Sequence, residues 1–227
     1  LWYNKTDQVG KYQIPNVTAS WRTSNAMNTG RNLLGASGTS TAALAFGGQT
    51  APGGATAVTE SWNGTSWTEV NDLNTARGQL SGFGTSTAAL ATGGSTPPHT
   101  AVTESWNGSS WTEVNDLNSS RRYLSGAGTV TNGLVFAGYI SANSALTESW
   151  DGSSWTEVND LNTARHDAGS FGIYTAAIAA GGYATTAVGI TESWGGSSWT
   201  EVNDLNTARN GLRGAGQSTT TDGLVFG

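Results

Sequence analysis

The 227-residue chain has no cysteine, only two histidines (His99 and His166) and four prolines. The lack of cysteine excludes disulfide bonds, thiolate metal sites and a cysteine nucleophile. Two histidines are too few for most zinc clusters and leave little room for a Ser-His-Asp triad. Lysine and arginine number 10 against 16 acidic residues, so the basic patches that bind nucleic acid or anionic membranes are missing. No apolar run is long enough for a membrane span. We therefore expect no metal, no cofactor, no nucleic-acid partner and no membrane insertion.

What dominates the sequence is a repeat of 44 residues. The string TESW ends at Trp62, Trp106, Trp150 and Trp194, and SWTEVNDLN follows each copy. An arginine recurs in step with these strings, at Arg31, Arg77, Arg121, Arg165 and Arg209. A period of 40 to 50 residues without helical spacing predicts a β-propeller or another array of β-sheets.

One repeat predicts four short strands, at residues 80–84, 88–92, 101–106 and 111–114. Glycines in the first of them suit a crowded centre. Asn107-Gly108 lies between the last two strands and predicts a two-residue hairpin turn, with both residues at positive φ.

The two ends of the sequence each supply one part of a further repeat. After Arg209 the sequence supplies only a first and a second strand, whereas residues 21–31 align without a gap on residues 67–77. Residues 12–16 are then the third strand of that last blade, and residues 17–21 lead into the fourth. We predict one all-β domain over residues 1–227, a five-bladed propeller of four-stranded antiparallel blades whose ring is closed by the N-terminal strands. The blades are expected at about residues 31–76, 77–120, 121–164, 165–208, and 209–227 plus 1–30. Because the sequence begins at Leu1 rather than Met, we also expect a processed protein or a piece of a longer one.

The order of these features resembles the kelch repeat. Gly47-Gly48, Gly93-Gly94 and Gly181-Gly182 match its double glycine, Ala137-Gly138 departs from it, and tryptophan stands where its third strand has tyrosine. This resemblance implies a propeller and is nearly silent on function. Residues 1–21 look like a segment of phage tail-fibre and other virion proteins, and the near-identical blades look like structural proteins of marine phages. The second resemblance implies a virion or extracellular-surface location, with virion or fibre proteins as partners.

The repeated charged and aromatic residues are interpreted as structural, because a catalyst needs one asymmetric site rather than several copies of each charge. We expect the repeated arginines to pair with Glu60, Glu104, Glu148 and Glu192. We expect the repeated tryptophans to form the core between strands, at Trp62, Trp67, Trp106, Trp111, Trp150, Trp155, Trp194 and Trp199. The repeated Asn-Asp step carries one carboxylate per loop, too few for a tight calcium site, and the aspartate is expected to cap its own turn.

The copies differ in two stretches, the loop between the second and third strands and the two residues after the repeated arginine. In a four-stranded blade both stretches lie at the same end, around one mouth of the central channel. The candidate ligand-binding residues at this rim are Gln79, Arg122, Tyr123, Tyr139, His166, Asp167 and Tyr183. Neutral drift of surface loops explains the variation equally well.

Three functions are compatible with the sequence. The first is a non-enzymatic virion or surface module for attachment, recognition or decoration, with cell-surface glycans as possible ligands. The second is a soluble multivalent lectin with one sugar site per blade, which gains affinity from several weak sites. The third and least favoured is a glycosidase, which needs paired carboxylates, and only Asp167 and Asp222 qualify near the channel. We expect no enzyme.

Overall fold

The computed structural model describes residues 24–215 and 223–227, together with the backbone of residues 2–3 and 10–11. In these residues every regular element is a β-strand, and the sheets are antiparallel blades of a β-propeller. No helix in the described part of the chain is long and apolar enough to cross a membrane.

The strands follow the repeat. Near the N-terminus, β1 (Trp2–Tyr3) pairs with β2 (Gly10–Lys11). The first complete blade contains β3 (Gly35–Gly38), β4 (Ala43–Phe46), a loop hairpin of β5 (Gln49–Thr50) and β6 (Gly54–Ala55), β7 (Thr59–Trp62) and β8 (Trp67–Val70). The second contains β9 (Ser81–Gly84), β10 (Ala89–Thr92), β11 (Thr103–Trp106) and β12 (Trp111–Val114). The third contains β13 (Ser125–Gly128), β14 (Gly133–Phe136), β15 (Thr147–Trp150) and β16 (Trp155–Val158). The fourth contains β17 (Gly169–Ile173), β18 (Ala176–Ala180), β19 (Thr191–Trp194) and β20 (Trp199–Val202), and β21 (Arg213–Ala215) pairs with β22 (Leu224–Phe226) after it.

The number of complete blades differs from the prediction. The described residues form four four-stranded blades rather than five, followed by the two-stranded sheet of β21 and β22. The strand predicted at residues 12–16, and the segment 17–21 predicted to lead into the fourth strand, lie outside the described residues. The predicted strands of the second blade, by contrast, match β9 to β12 within two residues at each end.

The predicted two-residue turn between the last two strands of each blade is wrong. Trp106 pairs directly with Trp111, so the loop has four residues, and only Gly108 of the Asn-Gly pair has a positive φ. The Asn107 Oδ1 atom accepts hydrogen bonds from the backbone N–H groups of Ser109 and Ser110, both at 2.9 Å. This Asx turn replaces the backbone geometry of a tight hairpin. In the third blade the same bonds lower the pKa of Asp151 to about 2, since they stabilise the charged carboxylate.

Neighbouring blades are joined by aromatic packing. The two tryptophans of each blade are cross-strand neighbours, with ring centroids 5.4 Å apart for Trp106 and Trp111. Trp111 also packs edge-on against Phe46 of the preceding blade at 4.8 Å, and Trp199 repeats this contact with Phe136 at 4.7 Å. Each such ring removes roughly 150–250 Å² from water, so the tryptophans stabilise both their own blade and the junction between blades.

Residues 25–31, which precede the first blade, contact it in the same way as the last loop of the first blade contacts the second blade. The Asn25 side-chain amide donates to the Thr65 carbonyl at 2.7 Å, and Asn71 donates to Ser109 at 2.8 Å in the equivalent position one blade later. The backbone N–H of Asn28 donates to Glu60 at 2.7 Å. Residues 25–31 are therefore structural equivalents of residues 71–77, as their alignment predicts.

Candidate functional site

The inner strands of the blades surround a central channel. A cavity of about 470 Å³ occupies one end, bounded by the beginnings of β3, β9, β13, β17 and β21, and a second cavity of about 220 Å³ lies toward the other end. We call the first end the mouth. Leucines dominate its lining, with Arg213 as its charged residue, and the lining leucines are Leu33, Leu34, Leu80, Leu124 and Leu212.

A belt of backbone hydrogen bonds runs around the mouth. The second residue after each repeated arginine has a left-handed backbone with φ of 54° to 69°, at Leu33, Gln79, Tyr123, Asp167 and Gly211. The N–H of Gln79 donates to the carbonyl of Leu33 at 2.8 Å, that of Tyr123 to Gln79 at 2.9 Å, and that of Asp167 to Tyr123 at 3.1 Å. A longer bond of 3.4 Å from Leu212 to Asp167 continues the series. The left-handed conformation costs about 1–2 kcal/mol for residues other than glycine, and the belt offsets this cost by tying successive blades together.

The two variable stretches meet beside this belt. The residue after each repeated arginine forms a β-bridge with the residue after the double-glycine position, and the bridged pairs are Asn32 with Gln49, Gly78 with Ser95, Arg122 with Tyr139, and His166 with Tyr183. Both stretches therefore lie at the mouth end of each blade, as the topology of a four-stranded blade requires. Ala137 takes a left-handed φ of 61° that matches the 59° of Gly93. The alanine that replaces the first glycine of the pair therefore keeps the same backbone conformation.

Five of the candidate residues form one aromatic and cationic group, which we call the rim cluster: Arg122, Tyr123, Tyr139, His166 and Tyr183. The His166 ring lies 5.5 Å from Tyr123, 5.6 Å from Tyr139 and 5.3 Å from Tyr183, measured between centroids. The Arg122 guanidinium carbon lies 5.2 Å from the centroid of Tyr123 and 5.3 Å from that of Tyr139. The third and fourth blades together therefore present one asymmetric patch.

The other two candidates flank the cluster. Gln79 is buried and accepts a 3.3 Å hydrogen bond from Arg122 through its Oε1 atom. Asp167 lies 3.9 Å from Arg213, measured from Oδ1 to Nη1. Burial raises the pKa of Asp167 above its usual value, although the positive charges of Arg213 and His166 oppose this. Burial lowers the pKa of His166, the Asp167 charge opposes the change and the Arg122 charge adds to it.

Sequence reasoning missed three residues that support the cluster. The Asn143 Oδ1 atom lies 2.7 Å from His166 Nδ1, and the same side chain bonds to the Ala184 carbonyl of the fourth blade. His99 packs edge-on against Tyr139 at 6.2 Å and contacts the Ile140 carbonyl through Nε2 at 2.8 Å. Arg213 lies at the start of β21, in the last sheet. Asn143 and His99 belong to the variable loops, which is the signal by which they could have been found.

The repeated arginines and glutamates lie in the interior. Arg31, Arg121 and Arg165 approach Glu60, Glu148 and Glu192 to 2.8, 2.9 and 2.5 Å, and Arg77 pairs with Glu104 in the same way. Each glutamate also accepts hydrogen bonds from the last loop of the preceding blade, as Glu148 does from Asn118 N at 2.7 Å. Burial lowers the pKa of Arg77 and Arg121, opposed by their glutamates. At Glu60, burial is outweighed by the bonds from Asn28, Thr29 and Arg31, so its pKa is lowered.

The repeated tryptophans are placed in the core rather than on a sugar-binding face. Seven of the eight are buried, and Trp67 is half-buried. The indole N–H of Trp106 donates to the Ser86 carbonyl at 3.2 Å, and that of Trp111 donates to Thr59 Oγ1 at 3.1 Å. The repeated aspartate does not cap its own turn, because Asp116 Oδ1 accepts the N–H of Thr103 at the start of β11 at 3.0 Å.

A metal site and a glycosidase site have less support than the rim cluster. The residues with described side chains contain no group of three or more histidine or acidic side chains placed to hold a metal ion. Asp222, the second carboxylate considered for a glycosidase, lies outside the described residues. The chain matches no protein-family model and no curated protein sequence.

Proposed function

We propose that this chain is a non-enzymatic recognition module that binds one ligand per chain through the rim cluster. The observation that carries this proposal is the convergence of Arg122, Tyr123, Tyr139, His166 and Tyr183 into a single patch. Aromatic faces beside planar hydrogen-bonding groups suit the stacking and hydrogen bonding of a sugar ring. A surface glycan is the ligand class that we favour.

The placement of variation supports the same function. The strand strings TESW and WTEV are identical in four blades, and their buried ion pairs and tryptophans hold the scaffold. The side chains that differ between blades gather at the mouth, on a belt made by the backbone. A rigid scaffold with variable loops on one face is the usual arrangement of a binding module.

We further propose that the module is displayed on a virion or cell surface, where it attaches the particle to a host or decorates a fibre. The support is the resemblance of residues 1–21 to tail-fibre segments and of the near-identical blades to structural proteins of marine phages. This location is testable by probing purified particles for the chain with an antibody.

We also propose that β21 and β22 are the inner half of a fifth, kelch-like blade that residues 12–21 complete. One observation supports this. Residues 25–31 contact the first blade as residues 71–77 contact the second.

Because the chain has no native cysteine, cysteine cross-linking tests this closure without background. We expect Val225→Cys, combined in turn with a cysteine at each of residues 12–16, to form an intramolecular disulfide at alternate positions, since directly opposite residues of neighbouring strands have Cβ atoms about 4.5–5.5 Å apart, close to the spacing of about 3.5–4.5 Å in a disulfide. Val225→Cys alone controls for cross-linking between chains. Disulfides that form only between chains would argue against the fifth blade.

The binding function is tested by a glycan array that includes bacterial surface polysaccharides, followed by calorimetric titration of any hit. We expect one site per chain and a loss of about tenfold or more in affinity for Tyr123→Ala. Tyr174→Ala is the matched control, because Tyr174 lies in the turn between β17 and β18 at the far end of the channel. Four or five sites per chain would favour a multivalent lectin instead, and no binding to any glycan would contradict glycan recognition.

A further inference from the structure

Arg122 is a cation without an anion. Arg31, Arg77, Arg121, Arg165 and Arg213 each lie within 4 Å of a carboxylate. Among the described residues Arg122 and Arg209 have no such carboxylate, and the one side-chain hydrogen bond of Arg122 is made to the neutral amide of Gln79. Of the two, it is Arg122 that lies among the tyrosines of the rim. In a chain of formal charge −6, this unbalanced positive charge lies in the rim cluster.

The guanidinium is nevertheless held in place. It lies against the rings of Tyr123 and Tyr139 at cation–π distance, and Gln79 holds one terminal nitrogen. A guanidinium has five N–H donors in a planar fork; the Nε atom of Arg122 is buried and Nη1 donates to Gln79, whereas the described hydrogen bonds leave Nη2 unpaired. An arginine fixed in this way is prepared to bind a planar anion with two parallel hydrogen bonds, at a smaller entropy cost than a free side chain.

The groups beside Arg122 define the rest of the site. Burial lowers the pKa of His166, the Asp167 charge opposes the change and the Arg122 charge adds to it, so the ring is favoured as a neutral hydrogen-bonding group rather than a second cation. The nearby carboxylate of Asp167 faces Arg213. Tyr183 is 38% exposed and adds an accessible aromatic ring beside His166.

We propose that the rim cluster binds an acidic saccharide, with the sugar carboxylate on Arg122 and the pyranose ring against the exposed tyrosine faces. This assignment rests on the proposed glycan-binding function and specifies its ligand class. A carboxylate matches the guanidinium fork in two-point geometry, and the tyrosine rings supply the stacking surface for the carbohydrate ring.

The test compares two oligosaccharides that differ only in charge, galacturonic acid oligomers and galactose oligomers of the same length and linkage, by calorimetry. We expect the acidic oligomer to bind about 10- to 100-fold more tightly. Arg122→Gln should abolish this preference, so that the acidic and neutral oligomers bind the variant equally. Arg122→Lys keeps the charge but not the fork, so it should retain a reduced preference.

The outcomes separate this inference from the function on which it rests. Equal binding of the acidic and neutral oligomers would overturn the carboxylate assignment while leaving glycan binding in place. A preference for galactose 6-sulfate oligomers over both would also overturn it, because the anion would not be a carboxylate. No saccharide binding by a folded protein would overturn the inference together with the proposed function.

Discussion

Glu148→Gln is expected to lower the free energy of unfolding by about 3–5 kcal/mol. Glu148 is 1% exposed, and its Oε1 atom lies 2.9 Å from the Nη2 atom of Arg121. The substitution removes the negative charge and leaves the buried guanidinium of Arg121 uncompensated. It also weakens the bonds from the Asn118 N–H and side-chain amide, at 2.7 and 2.9 Å, which hold the preceding blade. Urea denaturation followed by tryptophan fluorescence measures the loss.

The matched control lies on the next strand. Glu157 is directly opposite Glu148 in the pairing of β15 with β16, and its side chain is exposed. Glu157→Gln is expected to change the free energy of unfolding by no more than about 0.5 kcal/mol. Equal effects of the two substitutions would show that the buried pair contributes nothing beyond a surface charge.

Gly182→Ala is expected to lower the free energy of unfolding by about 3 kcal/mol or more and to weaken ligand binding at the rim. Gly182 has a φ of 107°, a conformation that alanine adopts only with strain. A Cβ atom there would lie 2.7 Å from the carbonyl oxygen of His166, and such overpacking adds a further cost. That same carbonyl accepts the N–H of Tyr183 at 2.8 Å, so the clash would displace two members of the rim cluster.

Gly53→Ala separates backbone strain from the clash. Gly53 has a similar φ of 117°, but a Cβ atom there would have no heavy atom within 4 Å. We expect a loss of about 1–2 kcal/mol from strain alone and unchanged ligand binding. Suppose instead that Gly182→Ala lowers the free energy of unfolding no more than this control and binds ligand normally. The close contact between Gly182 and the His166 carbonyl would then not be what positions the rim cluster.

Much of the fold was predictable because the repeat presents each pattern four times. The strands of the second blade were predicted within two residues of β9 to β12. The pairing of the repeated arginines and glutamates followed from their shared period and opposite charge. The turn at Asn107-Gly108 was predicted wrongly, because an asparagine that bonds forward to Ser109 and Ser110 competes with the tight hairpin.

The candidate site was predictable in position but not in the contacts between its residues. Topology alone places the residue after each repeated arginine beside the loop after the double glycine, so Arg122 and Tyr139 were expected at the same end. Their contact with His166 depends on the rotation between the third and fourth blades, which a sequence period does not encode. The left-handed backbone of Gln79 and Tyr123 was also hidden, because neither residue type favours a positive φ.

The belt at the mouth has an evolutionary consequence. Its links are main-chain N–H and carbonyl groups, and they join residues as different as Leu33, Gln79, Tyr123 and Asp167. The side chain at each link can therefore be exchanged without breaking the backbone hydrogen bonds of the belt. A phage-display library randomised at these positions and at the bridged residues beside them would vary the surface of the mouth while the architecture stays constant. Duplication or recombination of whole 44-residue units would likewise move intact sets of mouth residues from one blade to another in few genetic steps.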